Sequence, residues 1–123
     1  MSGTAETPRY FIRIAFGPGA MMGPGKAALL EHIAETGSIA AAGRAMGMSY
    51  KRAWQLVDTM NAIFSEPVVN STRGGPNGGG AVVTEMGRAV LAEYRGLEAA
   101  AQRATGEQAE RLRSLLRDIP RGK

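Results

Sequence analysis

A short run of basic and hydrogen-bonding side chains, residues 49–55, has the spacing of a helix that reads nucleic acid. Lys51, Arg52 and Gln55 fall on one face of a helix that would begin after Ser49. Lysine and arginine neutralise phosphate or bind guanine O6 and N7, and glutamine can pair with adenine N6 and N7. Backbone N–H groups at such a helix start also attract phosphate. These residue types therefore predict contact with DNA.

The distribution of charge favours the same chemistry. The chain has 15 basic and 11 acidic residues among 123, a net charge of +4. No acidic residue lies between Glu35 and Asp58, whereas Arg44, Lys51 and Arg52 do. A solvated helix face normally mixes both signs of charge, so this acid-free window, residues 36–57, indicates an anionic partner.

Hydrophobic periodicity predicts the elements that hold this window in place. Apolar spacings of three and four predict helices over residues 26–36, 39–46 and 50–64, and a long last helix after Thr84 that Gly106 interrupts. Alternating or short apolar runs predict strands over residues 9–16, 68–73 and 81–84, with a loop over 17–25. Gly37 and Gly47 would end the first two helices, and Ser38 and Ser49 would cap the next two.

Two helices joined by a short glycine-containing turn and followed by a hairpin are typical of a winged helix-turn-helix. We therefore expect a mainly α fold with a small β component: an N-terminal strand, a β-hairpin wing and a long C-terminal dimerisation helix. The glycine-rich wing, residues 73–80, would place Arg73 in a minor groove and Asn77 at its tip. The alternative is a plain flexible hairpin, and the alanine-rich middle helix alone would indicate only good helix propagation.

The domain organisation follows from the same patterns. We expect a disordered tail over residues 1–8, one DNA-binding domain over 9–105 that includes the start of the dimerisation helix, and a helical extension over 106–123. The apolar stripe on the last helix is longer than one small core needs. This stripe predicts a homodimer through Met86, Val90, Tyr94, Leu97 and Ala101.

Composition argues against several other functions. The chain has no cysteine and a single histidine, His32, so we expect neither an enzyme nor a metal or cofactor site. It has no long apolar run and no signal-peptide pattern, which predicts a cytoplasmic protein without a membrane partner. The glycines before Lys26 do not form a phosphate-binding loop, because Ala20 and Ala27 replace the required glycine and hydroxyl residue.

Two aromatic residues on the predicted reading helix have two interpretations. Tyr50 and Trp54 are four residues apart and would lie along one side of the helix. Either could contact a thymine methyl group or a sugar. Packing at the rim of the core is the favoured interpretation for Trp54, whereas Tyr50 lies in the exposed first turn and both interpretations stay open for it.

Residues 37–54, Gly-Ser-Ile-Ala-Ala-Ala-Gly-Arg-Ala-Met-Gly-Met-Ser-Tyr-Lys-Arg-Ala-Trp, resemble the LysR-like winged helix-turn-helix of the molybdate-responsive, ModE-type repressors. The similarity continues through Asp58, Met60 and Asn61 and across the glycine-rich wing to Gly87. The resemblance implies a homodimer that binds a palindromic operator and dimerises through its first and last helices. It also implies that the helix beginning at Ser49 enters the major groove.

Residues and resemblance together predict the function and the site. We expect a sequence-specific transcription regulator of double-stranded DNA, with molybdenum-related gene control implied by the resemblance; the alternative is a winged-helix protein-interaction module without specific DNA readout. Family members that sense molybdate carry further oxyanion-binding domains, for which this chain offers no obvious place, so molybdate binding is not supported. The predicted DNA contacts are Ser38, Arg44, Ser49, Tyr50, Lys51, Arg52, Gln55, Arg73 and Asn77.

Overall fold

Apart from one additional strand near the N-terminus, the helices and strands follow one another in the predicted order. The computed structural model describes residues 8–72 and 80–117. In chain order its elements are β1 (Ile14–Gly17), β2 (Ala20–Met22), α1 (Pro24–Thr36), α2 (Ile39–Ala45), α3 (Tyr50–Ile63), β3 (Val69–Thr72), β4 (Gly80–Val83) and α4 (Glu85–Ser114). Each hairpin is antiparallel, β1 with β2 and β3 with β4. This arrangement confirms a mainly α winged helix-turn-helix with a small β component.

Local sequence signals set the helix ends. Ser38, Ser49 and Thr84 cap α2, α3 and α4, and each side-chain oxygen accepts a hydrogen bond of 3.0 Å from the backbone N–H three residues further on. Gly37 and Gly47 follow α1 and α2 with φ of +69° and +71°. A residue with a side chain rarely adopts these left-handed values, so the helix-turn-helix angle depends on glycine at both positions.

The hydrophobic core lies between α1, α3 and the β3–β4 hairpin. Leu29, Leu30 and Ile33 of α1 are fully buried together with Val57 and Met60 of α3. The backbone carbonyl at residue 37 accepts a hydrogen bond of 2.9 Å from the N–H at residue 81. This bond joins the α1–α2 turn to β4, so the helix-turn-helix and the wing hairpin are held in one frame.

In the N-terminal region, the structure differs from the predicted strand and loop. The strand covers Ile14–Gly17 instead of residues 9–16, and the predicted loop 17–25 contains β2 and the first two residues of α1. Gly19, with φ of +74°, allows the tight connection between β1 and β2. The strand prediction missed β2 because three residues are too few for a recognisable alternation.

The segment before β1 lies along α4, not in a sheet. The Tyr10 hydroxyl is 2.6 Å from Thr105 Oγ1, and the Tyr94 hydroxyl donates to the backbone oxygen of Ile12 at 2.6 Å. An extended segment against a helix buries alternate side chains much as a strand does, which accounts for the period-two pattern over residues 9–16. The pattern correctly indicated extended backbone but not its partner.

The last helix also differs from its prediction. It is continuous from Glu85 to Ser114 and passes through Gly106 without interruption. A glycine inside a helix costs only about 1 kcal/mol relative to alanine. The neighbouring alanine, glutamate, glutamine and arginine residues are good helix formers and offset that cost.

Replacing Gly87 by alanine is expected to destabilise the fold by about 2 kcal/mol, as overpacking at a tight contact does. A Cβ at this position would lie 2.3 Å from the backbone oxygen of Val68 and 2.7 Å from Val83 Cγ1. Backbone atoms cannot yield as a flexible side chain can, so α4 would have to move off the β3–β4 hairpin. Urea unfolding of the variant measures the loss.

Gly106→Ala is the matched control for that prediction. Apart from its chain neighbours and the backbone of its own helix, no atom of the described residues lies within 4 Å of a Cβ built at Gly106. The better helix propensity of alanine should therefore raise the free energy of unfolding by about 0.5–1 kcal/mol. Equal stability of the two variants would contradict the close approach at Gly87.

An ion-pair group joins α1 to α4. The Arg95 guanidinium donates to both carboxylate oxygens of Glu31, at 2.9 and 3.0 Å, and to Glu98 at 2.7 Å. The hydrogen bonds from Arg95 hold the pKa of Glu31 below its usual value. Because the side chains of Arg95 and Glu31 are both more than a third exposed, this ion-pair group contributes only modestly to the stability of the fold.

Replacing Glu31 by glutamine should lower stability at pH 7 by at most about 1 kcal/mol. A carboxylate whose pKa is depressed in the folded state stabilises above its unfolded pKa, near 4.3. That contribution disappears as the pH falls through the folded pKa. Urea unfolding should therefore show a larger difference between variant and parent at pH 7 than at pH 3. An equal difference at both pH values would assign the effect to packing.

Candidate DNA-binding surface

The exposed face of α3 carries the predicted contact residues together. Tyr50, Lys51, Arg52 and Gln55 are all exposed. The opposite face of α3 buries its apolar residues, namely Ala53, Val57 and Met60. The helix is thus fixed to the core by one side and presents its polar side to solvent, as a reading helix requires.

The start of α3 suits an anionic ligand. Its first turn contains no acidic residue. Ser49 Oγ accepts a hydrogen bond from the Arg52 N–H at 3.0 Å, which fixes the direction in which the first turn points. The helix dipole adds a partial positive charge at this end. Charge and backbone therefore both favour phosphate near Lys51 and Arg52.

The two aromatic residues of α3 have different surroundings. The Tyr50 ring is 57% exposed. Trp54 is half-buried and packs against the core, and its ring meets that of Tyr50 edge to face with centroids 6.2 Å apart. This geometry agrees with rim packing for Trp54, and it leaves the Tyr50 ring open to a nucleic-acid contact.

The predicted contacts outside α3 are less uniform. Ser38 is half-buried, and its hydroxyl accepts from the Ala41 N–H as the cap of α2. Arg44 is exposed in the last turn of α2, next to the turn that leads into α3. Arg73 and Asn77 lie outside the described residues. DNA contact by all four residues stays a prediction.

Asn61 anchors the wing hairpin to α3. Its side-chain oxygen accepts from the N–H groups of Val68 and Val69 at 2.8 and 3.2 Å, and its amide nitrogen donates to the Val69 oxygen at 3.1 Å. The Thr84 hydroxyl donates to the Pro67 oxygen at 2.7 Å, which ties the two flanks of the hairpin to each other at its open end. The Asn61 bonds set the position of the hairpin relative to α3.

The sequence interpretation missed two basic residues beside α3. Arg13 and Lys26 line one groove with Arg52 of α3. In the sequence, Lys26 stands out only as the end of a glycine-rich segment that fails as a phosphate-binding loop. The available signal was the absence of any acidic residue from the first turn of α1, where Lys26 lies.

The predicted dimerisation residues lie in different surroundings along α4. Met86, Val90 and Leu97 line an apolar groove of about 590 Å³ beside β1, and Ala101 is half-buried further along α4. Tyr94 also touches this groove, but its side chain belongs to the core of its own chain and is only 3% exposed. Burial, followed by the nearby Glu98 carboxylate, raises the pKa of the Tyr94 hydroxyl. Little of Tyr94 remains for a partner, and a dimer contact through it stays a prediction.

The fold defines the class of protein as a winged helix-turn-helix, and comparison with known proteins identifies the family. Residues 26–88, half of the chain, match the family described as bacterial regulatory helix-turn-helix protein, lysR family. The chain belongs to this family of bacterial helix-turn-helix regulators. Its matched region begins at Lys26 and ends just inside α4, so it contains most of α1, all of α2 and α3, and both strands of the wing hairpin.

Individual relatives support the resemblance to the ModE-type repressors. The molybdenum-pterin-binding protein MopB of Rhodobacter capsulatus is 49% identical over 81 residues, 66% of this chain and 30% of that protein. The molybdenum transport protein ModE of Azotobacter vinelandii is 45% identical over 84 residues, 68% and 31%. The DNA-binding transcriptional dual regulator ModE of Escherichia coli is 37% identical over 102 residues, 80% and 39%. The chain thus spans about a third of the length of these relatives.

The described residues contain neither a membrane-spanning helix nor a cluster of metal-ligating side chains. Within residues 8–72 and 80–117, no helix is long and apolar enough to cross a membrane. In the same described ranges, histidine, aspartate and glutamate nowhere gather in threes as a metal site would need.

Proposed function

We propose that this chain is a sequence-specific DNA-binding transcription regulator. The observation that carries the proposal is the exposed, acid-free first turn of α3, where Lys51 and Arg52 point away from a buried apolar face. Lysine and arginine supply phosphate neutralisation, and Arg52 and Gln55 supply the bidentate donors and acceptors that distinguish base pairs in the major groove. The chain would act by binding and not by catalysis, and, since its target is the bacterial genome, in the cytoplasm.

The proposed active form is a homodimer on a pseudo-palindromic site. Phe16 and Leu97 are 63% and 40% exposed beside the apolar groove of α4, and such a surface is usually covered by a partner. A two-fold axis through this surface would present two copies of α3 to one side of a duplex. Two-fold symmetry in the protein then requires an inverted repeat in the DNA.

The proposed regulatory role is in molybdenum-related gene control. It rests on the relatives, whose names state molybdenum transport and molybdenum-pterin binding. The proposal concerns the genes controlled and assigns no molybdate site to the residues of this chain.

Titration of a fluorescent random-sequence duplex at increasing salt tests DNA binding itself. Each neutralised phosphate contributes a slope of about −0.9 to the plot of log affinity against log salt. Lys51 and Arg52 from two protomers contribute a slope of about −3.6 by the same relation, and any further phosphate contact makes the slope steeper. A slope near zero would instead support the alternative, a protein-interaction module, because that function does not release counterions from DNA.

A further inference from the structure

A groove beside the reading helix gathers three positive charges from separate parts of the chain. Arg13 comes from the segment before β1, Lys26 from the first turn of α1 and Arg52 from the first turn of α3. The groove has a volume of about 440 Å³, and none of the residues that line it within 8–72 and 80–117 is an aspartate or a glutamate. We refer to it as the basic groove.

The side chains of the basic groove are held in place. Lys26 Nζ donates to the backbone oxygen of Met21 at 2.7 Å. A Cβ built at Gly23 would lie 3.3 Å from Arg13 Cγ, so the stem of Arg13 lies against the start of α1. These contacts fix both stems near the groove, which reduces the conformational entropy lost when an anion binds.

The positive charges of the basic groove are not balanced within the described chain. Burial, followed by the charge of Arg52, lowers the pKa of Lys26, so the two cations oppose each other. The ion pairs found in residues 8–72 and 80–117 involve other cations, His32, Arg95, Arg111 and Arg113. An anion in the groove would relieve this repulsion.

We propose that Arg13 and Lys26 bind a backbone phosphate of DNA beside the base pairs that α3 contacts. This inference rests on the proposed function. Arg52 lines the groove and also lies on the exposed face of α3, so a duplex that meets α3 brings its backbone to the groove. Contacts to phosphate set affinity and register but do not read sequence. The groove therefore adds a sequence-independent clamp to the reading helix.

The double variant Arg13→Gln, Lys26→Gln tests the clamp against two duplexes, one of random sequence and one selected for tight binding. Without these two cations, affinity for both duplexes should fall by a similar factor, about tenfold, and the salt slope should decrease by about 1 for each phosphate that is no longer neutralised. The matched control is Arg103→Gln, which removes one charge from the exposed side of α4 far along the chain. It should change affinity less than about twofold, because no phosphate is expected there. Circular dichroism checks that all variants are folded.

Different results overturn the inference in different ways. If the parent chain binds DNA and the double variant binds equally well, the clamp is wrong and the proposed function stands. If only the selected duplex is weakened, Arg13 and Lys26 read bases and do not act as a clamp. If the parent chain binds no DNA, both proposals fail.

A second arm distinguishes DNA phosphate from a free anion. Inorganic phosphate at about 10 mM is added during thermal unfolding of the parent chain and of the double variant. The DNA proposal expects similar small shifts in melting temperature for both proteins, because a single free anion in an open groove is screened by solvent. Stabilisation of the parent chain alone, with unchanged DNA affinity of the double variant, would assign the groove to a free oxyanion and overturn the clamp.

Discussion

The Arg52→Ala variant should bind a selected operator at least about ten- to a hundredfold more weakly than the parent chain, because one good bidentate base contact represents that factor and the dimer loses one in each half-site. On a random duplex the same variant should lose only about threefold, the smaller effect of one missing phosphate interaction. The difference arises because Arg52 is exposed on the first turn of α3 and carries both a charge and a planar fork of donors. Fluorescence anisotropy with both duplexes at one salt concentration gives the two ratios.

Arg52→Lys is the control that separates charge from geometry. Lysine keeps the positive charge but lacks the planar fork that pairs with guanine O6 and N7. This variant should retain nearly all of the affinity for random DNA and lose much of the preference for the operator. Equal losses on both duplexes for Arg52→Ala would mean that Arg52 contacts phosphate alone.

Placing a charge in the apolar groove of α4 should give the second large effect. Val90→Asp buries a carboxylate where Met86 and Leu97 would meet a second protomer. We expect a monomer in sedimentation velocity and a loss of operator affinity of more than about a hundredfold, because the two reading helices are no longer linked. Since Val90 also packs against the core of its own chain, Leu97→Asp, at a more exposed position, provides a second variant.

Ala92→Asp is the matched control for the dimer. It introduces the same charge two residues away on α4, at an exposed position that does not line the groove. This variant should sediment as a dimer and bind the operator normally. A monomeric parent chain at micromolar concentration, or dimeric Val90→Asp and Leu97→Asp variants, would contradict the proposed interface.

The features that the sequence predicted well depend on local interactions. Ser38, Ser49 and Thr84 cap helices through their own neighbouring N–H groups, and Gly37 and Gly47 end helices through their own backbone angles. Such signals involve residues close in the chain, so they can be recognised from the sequence alone. The exposed face of α3 was predictable for the same reason, since a clean apolar stripe leaves the opposite residues to solvent.

The features that the sequence did not predict depend on distant partners. The extended segment before β1 owes its place to hydrogen bonds from Tyr10 and Tyr94, which join residues more than 80 positions apart. The basic groove likewise unites Arg13, Lys26 and Arg52 only after α1 and α3 have packed. Within α1, Leu29 is buried and Ala34 is exposed, because α2, β4 and α4 together determine which side of this helix is covered.

Selection of DNA fragments by the immobilised chain, followed by sequencing, tests the central claim most directly. The fragments are drawn from random sequence, and several rounds are carried out at constant salt. A dimer with two copies of α3 in successive major grooves predicts enrichment of an inverted repeat whose half-sites are centred about 10 base pairs apart. Recovery of fragments without any shared inverted repeat, at the same yield as for an unrelated basic protein, would contradict sequence-specific reading by α3.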